Sequence, residues 1–312
     1  MDSVCCRLRF TFANLFRIIL ILATFAGGAG CSRGGGSQLL FVTVPESRQL
    51  LIYGSSAAGS ASPLQVITER APDEPVDVAV DFQGDAFVAN ATGSVRVYAP
   101  GKDKKFRIFK NYEGSNTQLV HPTAIAVNKV GSFYVADRGN GLGRLEWFSG
   151  GANGNLVPDR VITGEETGIH DPRGVALDGS GRVFVADRTS NQVLVFDADV
   201  KGDAAPVVRL SGVRAPGHLA VDDLMNLYVV SDADDSIMVF DSSGPQSWTL
   251  RAKISSKALR GPTGVTTDVA GDIVAGATGG VLFFAANAEG MVDPVRSLAG
   301  SDPFHPGGIY IH

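Results

Sequence analysis

The sequence predicts an all-β molecule, a six-bladed β-propeller of four-stranded blades, on three observations. A proline-led segment recurs six times at even spacing; short β-branched and aromatic runs alternate with Gly, Asn and Asp turns; and Gly and Pro together supply 53 of the 312 residues. Against ordinary usage of about 7% Gly and 5% Pro, that excess interrupts any long helix. With 44% hydrophobic and 19% charged residues, the chain has the apolar material to fold. A length of 312 residues exceeds what one core usually serves, so the chain splits into domains or grows by repetition.

The repeat decides between these. Pro75–Asp81 (PVDVAVD), Pro122–Asn128 (PTAIAVN), Pro172–Asp178 (PRGVALD), Pro216–Asp222 (PGHLAVD) and Pro262–Asp268 (PTGVTTD) read alike, and Pro306–His312 (PGGIYIH) is a sixth copy. Successive prolines stand 47, 50, 44, 46 and 44 residues apart, the spacing of propeller blades. Each unit continues through a tight turn such as Asp178–Gly181, a second run (Val183–Asp187), a polar loop, a third run (Val193–Phe196) and a fourth (Val207–Ser211). Runs of this length and composition between turn residues are strands, and four make a blade.

The first strand of each unit alternates. Val78, Ile125, Val175, Leu219, Val265 and Ile309 are bulky, whereas Ala79, Ala126, Gly174, Ala176, Ala220, Gly264 and Gly308 are small. A period of two puts these on opposite faces, so one face is bare and receives the bulky face of the next blade. At the ends, Leu40–Tyr53 aligns without a gap on Val183–Phe196, the second and third strands, and Pro63–Thr68 follows as a fourth. The missing first strand is Pro306–His312. Joined, they form a sixth blade that closes the ring and removes its exposed edges.

Residues 1–37 have a different character. Arg7, Arg9 and Arg17 lead into the apolar stretch Ile18–Ala26 and the small residues Gly27–Gly30, which is a secretory signal peptide. The 13 residues from Ile18 to Gly30 fall short of the roughly 20 that span a bilayer. Cys31 follows, and its placement resembles a bacterial lipoprotein signal, whose cysteine is lipidated; Gly28 stands where that pattern usually has Leu. The expected organisation is a signal peptide (1–30), a lipidated Cys31 with a flexible tether (31–37) and the propeller (38–312). The expected location is the cell envelope, with the chain exported and held to a membrane by its lipid; plain secretion is the alternative. Cys5, Cys6 and Cys31 all precede the propeller, which leaves it no disulfide and no thiolate site. Loss of residues 1–30 takes the net charge from −5 to −7, which disfavours a nucleic-acid partner.

The units Phe133–Asn140 (FYVADRGN) and Val183–Asn191 (VFVADRTSN), each preceded by Pro-x-(Gly/Ala)-(Ile/Val)-Ala-(Val/Leu)-(Asp/Asn), resemble NHL repeats. The resemblance extends over about residues 38–312 and implies a propeller. It implies no single activity, because that family includes interaction platforms, RNA-binding modules, amidating lyases, lactonases and streptogramin lyases. The sequence lacks a Glu-x-Pro-x-Trp-like element of gluconolactonase-like enzymes and the disulfides of amidating lyases, and it has six units where streptogramin lyases typically have seven.

In a propeller, the connections between strands two and three and between strands four and one share one face, around the channel. Arg138, Asn140, Arg144, Arg188, Asn191, Asp232, Asp234, Asp235, Glu46 and Arg48 fall in the former connections, with charges mixed. Asp137 and Asp187 recur and are expected to shape loops as hydrogen-bond acceptors. His121, His170, His218 and His305 border first strands at this face; His312 lies at the other. At the position of His218 other blades carry Ala124, Gly174, Gly264 and Gly308, with Asp77 the other large exception, three units away. The two should therefore face each other across the channel. Candidate ligand residues are Asp77, His121, His170, His218, His305, Arg138 and Arg188. Asp77, His121 and His218 are a candidate divalent-metal set, since imidazole and carboxylate suit such ions or acid–base work. Asn111–Val120, Ser149–Pro158 and two extra residues before Leu145 make blade two a second candidate sector. The expected function is a monomeric, non-catalytic scaffold for a protein, peptide or glycan, without cofactor and touching the membrane through its lipid alone. The alternative is a metal-assisted lyase or lactonase-like hydrolase.

Overall fold

A computed structural model describes residues 38–244, 246–300 and 304–312; the signal peptide, Cys31 and the tether lie outside the described residues. Six sheets, each with four antiparallel strands as its frame, form six blades. The first five begin with the proline-led strands Pro75–Val80, Pro122–Val127, Pro172–Leu177, Pro216–Val221 and, starting just past its proline, Gly264–Thr267. The sixth is composite: Ile309–Ile311 pairs with Leu39–Val44, which pairs with Gln49–Gly54 and then Gln65–Thr68. Its register sets Leu40 opposite Ile311 and Val42 opposite Ile309. Leu39 and His312 exchange backbone hydrogen bonds of 2.8 and 2.9 Å.

The core is six wedges, one per junction between neighbouring blades. Ile125, Phe87 and Phe133 fill that between blades one and two, Val175 and Leu145 the next, and Leu219 and Phe184 the one after. The circuit continues through Val265 with Ile237 and Ile309 with Leu298, and returns to blade one through Val78 with Phe41. Small residues set the blade spacing. A Cβ on Gly174 would stand 2.6 Å from the Gly217 carbonyl, and one on Gly308 would stand 2.7 Å from the Asp77 Cα.

The turns between first and second strands repeat one device. Asp81, Asn128, Asp178, Asp222 and Asp268 each accept backbone N–H bonds from the residues two and four positions on, at 2.8–3.1 Å. The closing residue is left-handed: Gly84, Gly131, Gly181 and Gly271 have φ of 77–86°, and Met225 takes the same place at 68°. Glycine meets this demand without steric cost.

Two features depart from the sequence reading. Gly290–Met291, from the connection in blade five, adds a parallel fifth strand to blade four beside Ser247–Ser255. The long connections at blade two are an inter-blade strap. Asn111 to Glu113 belong to the outer strand of blade one, Phe106–Glu113. The Asn111 and Asn116 N–H groups donate to the Asn153 and Asn155 side chains at 2.8 and 2.7 Å, and the Tyr112 hydroxyl donates to the Ala152 carbonyl at 2.6 Å. These bonds tie the outer strand of blade one to the long connection of blade two.

Candidate functional site

Asp77 and His218 occupy the places in their first strands where the other blades have only Gly or Ala. There the two side chains meet across the channel, Nε2 of His218 lying 3.3 Å from Oδ1 of Asp77. Asp77 is 1% exposed and His218 12%. Every polar atom of the pair has a partner. Asp77 Oδ1 accepts the Val78 N–H at 2.8 Å, and Oδ2 accepts the Ile125 N–H of blade two at 2.9 Å. His218 Nδ1 accepts the Val265 N–H of blade five at 3.2 Å. The pair is therefore a crossbar that joins blades one, two, four and five. Burial lowers the His218 pKa while the Asp77 carboxylate raises it; the carboxylate prevails and holds it above the ordinary value.

The crossbar divides the channel. Toward the turns of the first and second strands lies a chamber of about 740 Å³, walled by Val78, Ile125, Val175, Leu219 and Val265. Toward the loop face lies a smaller mouth of about 320 Å³, lined by His121, Thr123, Arg138, Arg173, Arg188 and Asp232, with His218 in its floor.

The mouth carries more positive than negative charge. Arg173 Nε is 3.0 Å from Asp171 Oδ1, and Arg138 Nε is 3.4 Å from the same oxygen. Arg188 pairs with Asp232. Burial raises the Asp232 pKa more than Arg188 and Arg173 lower it. Three guanidiniums thus face two carboxylates, and all three remain partly open to solvent. Such planar, multi-donor cations suit a carboxylate or phosphate.

The loops hold their shape through the repeated aspartates. Asp137 accepts the N–H groups of Val120, His121 and Gly139 at 2.6–3.0 Å, and Asp187 those of His170, Asp171 and Ser190 at 2.7–2.8 Å. Their carboxylates are fully engaged as loop braces.

Of the residues singled out from sequence, His121, Arg138, Arg188 and His218 line the mouth, and Asp77 supports its floor. His170 and His305 are exposed; His305 pairs with Glu46 at 3.0 Å on the sixth blade. Among the described residues no three His, Cys, Asp or Glu side chains stand together as a metal site, so Asp77, His121 and His218 do not form a three-ligand set. The crossbar explains this: Asp77 and His218 are turned toward each other and the backbone. Arg173 was missed. Its position follows the blade proline, where other blades have Val76, Thr123, Gly217, Thr263 and Gly307, and a lone charge there was the available signal.

The NHL repeat pattern matches residues 170–196, the first three strands of blade three and the loop that supplies Arg188. No curated protein matches the sequence. Among solved structures, a Bacteroides caccae protein of unknown function is similar at 12% identity, over 88% of this chain and 99% of its own, with a TM-score of 0.65. A Bacteroides fragilis protein provisionally described as a 6-phosphogluconolactonase is similar at 14% identity, over 87% and 84%, with a TM-score of 0.61. A functionally unknown protein from Desulfotomaculum acetoxidans is similar at 16% identity, over 86% and 83%, with a TM-score of 0.60. At such identities the likeness concerns the fold. This chain is a six-bladed β-propeller that carries an NHL repeat.

Proposed function

We propose that this protein is an exported, lipid-anchored binding scaffold whose loop face captures a carboxylate-bearing group presented by a protein, peptide or glycan. The observation that carries this reading is the mouth, an open pocket with Arg138, Arg173 and Arg188 at its rim and a floor closed by Asp77 and His218. A general base needs a nitrogen or oxygen free to take a substrate proton. Both ring nitrogens of His218 and both oxygens of Asp77 are already in hydrogen-bonding contact, which supports binding over acid–base chemistry.

The lyase or hydrolase reading needs the same pair to hold a metal or move a proton, and the donor set does not fit the metal. Two measurements test the proposal. Titration of the protein with a hexa-glutamate peptide is expected to show saturable, salt-sensitive binding, weakened about tenfold or more in Arg173→Ala, since a charge-assisted contact contributes ~1.5–3 kcal/mol. Equal affinity in wild type and variant would count against the mouth. For the anchor, wild type should incorporate a fatty-acid probe in cells and Cys31→Ser should not; an unlabelled wild type makes the chain simply secreted.

A further inference from the structure

We propose that the face of the propeller opposite the arginine mouth rests on the surface of a zwitterionic lipid bilayer. The inference rests on the anchoring part of the reading above.

The tips of four of the five turns between first and second strands carry a large apolar side chain: Phe82 and Val130, each 77% exposed, Leu224 at 80% and Val269 at 86%. Folding does not require them. The turn is made by an Asp carboxylate or Asn carboxamide oxygen and the left-handed residue, and blade three builds it with Gly179 and Ser180 at the tip. Leu64 and Val295, at the same end of the outer strands of blades six and five, are exposed as well and extend the apolar surface outward. The loop face differs: among the described residues, Leu142 is the one large apolar side chain exposed in its connections. Single exposed apolar residues are ordinary, and Ile108, Phe109 and Leu250 are such residues on outer strands, but a ring of them around one face marks a contact surface.

The position of the N-terminal segment names the occupant. Gln38, the first described residue, lines the chamber that opens on this face, together with Leu224, Val269 and His312. Cys31 precedes Gln38 by seven residues, so a tether of at most about 25 Å separates a lipid on Cys31 from the apolar tips. Aromatic and aliphatic side chains at such a distance enter the headgroup region as a second attachment beside the acyl chains. The charges around them select the lipid. Asp222, Asp223 and Asp268 flank Leu224 and Val269, while Lys102, Lys104 and Lys105 occupy the turn beside the outer strand of blade one. Mixed charges of this kind suit a zwitterionic headgroup better than an anionic one.

The propeller has no cysteine of its own, so Leu224→Cys in the acylated full-length protein places a polarity-sensitive thiol dye at one tip. Arg48→Cys gives the matching probe on the loop face. In phosphatidylcholine vesicles containing a spin-labelled lipid, the Leu224→Cys dye is expected to lose at least half its emission, and the Arg48→Cys dye to stay within a tenth of its value without quencher. Protein that co-sediments with vesicles while both dyes are quenched equally, or neither, overturns the orientation and leaves the anchor standing. Protein that fails to co-sediment overturns both.

Discussion

Asp77 and His218 replace the smallest residues of their strands, and the channel pays for their bulk by losing its continuity. The contact couples a titrating imidazole to a carboxylate already held by two backbone N–H groups. Nδ1 can accept the Val265 N–H only while unprotonated, but the Asp77 charge outweighs that loss and raises the pKa, so the contribution to stability depends on pH with a definite sign. A base whose folded pKa is raised stabilises the fold fully below its unfolded value, near 6.5, and loses that contribution as pH rises through the folded value. Relative to His218→Gln, which can still donate to Asp77 but does not titrate, wild type should hold its full thermal advantage below about pH 6 and lose it progressively on the alkaline side, as read by melting curves across pH. A constant difference between the two would mean that the imidazole stays neutral throughout. The pair was legible in sequence because both residues break the same alternation three units apart. Their contact, in place of an open space between them, was not legible, since it follows from the channel radius. Arg173 shows the same limit: its charge was visible, whereas its convergence with Arg138 and Arg188 required the twist of two blades.

Among elements, the junction of blades six and one is held by charge as well as by packing. Arg96, on the third strand of blade one, is buried with Glu69 and Asp73 from the preceding connection, and bonds both. The Tyr98 hydroxyl donates to Glu69 at 2.5 Å, and burial together with that bond pushes the phenol pKa up. Removing one member leaves the others charged and desolvated. Arg96→Ala should therefore cost about 3–5 kcal/mol, measured by denaturant titration, more than a single exposed ion pair contributes. Strands and turns in this region follow from period-two alternation and the Asp-x-x-Gly pattern. The network does not, because Glu69 and Asp73 lie in a connection whose path nothing local specifies. The strap at blade two is a parallel case. Its asparagines bond backbone groups 39–42 residues away, and that pairing depends on how two blades are set side by side.

For the whole molecule, ring closure governs cooperativity. Ile309 and Ile311 are buried on one face of the closing strand, and Thr43 Oγ1 accepts the Gly308 N–H at 2.8 Å and donates to the Gly308 carbonyl at 3.3 Å. Deleting Pro306–His312 removes two buried isoleucines, each contributing ~1.5–3 kcal/mol, and bares one edge of Leu39–Val44. The truncated protein should melt about 10 °C or more below wild type in one transition, with no independent fraying of blade six. A truncated form with the wild-type melting temperature would refute closure as the source of stability. The number of blades, their shared sixth member and the alternation that packs them were all readable from six proline-led segments. The fifth strand on blade four was not, because a two-residue pairing leaves no pattern in sequence.

The closing blade also has a mechanical consequence. Gln38 leads directly into Leu39–Val44, which is bonded along one side to Ile309–Ile311 and along the other to Gln49–Gly54. A pull between an anchor at the N-terminal end and a ligand on the loop face runs parallel to these strands. Such a force loads both ladders in shear, so their bonds must yield together, whereas a pull across the sheet would open them one by one.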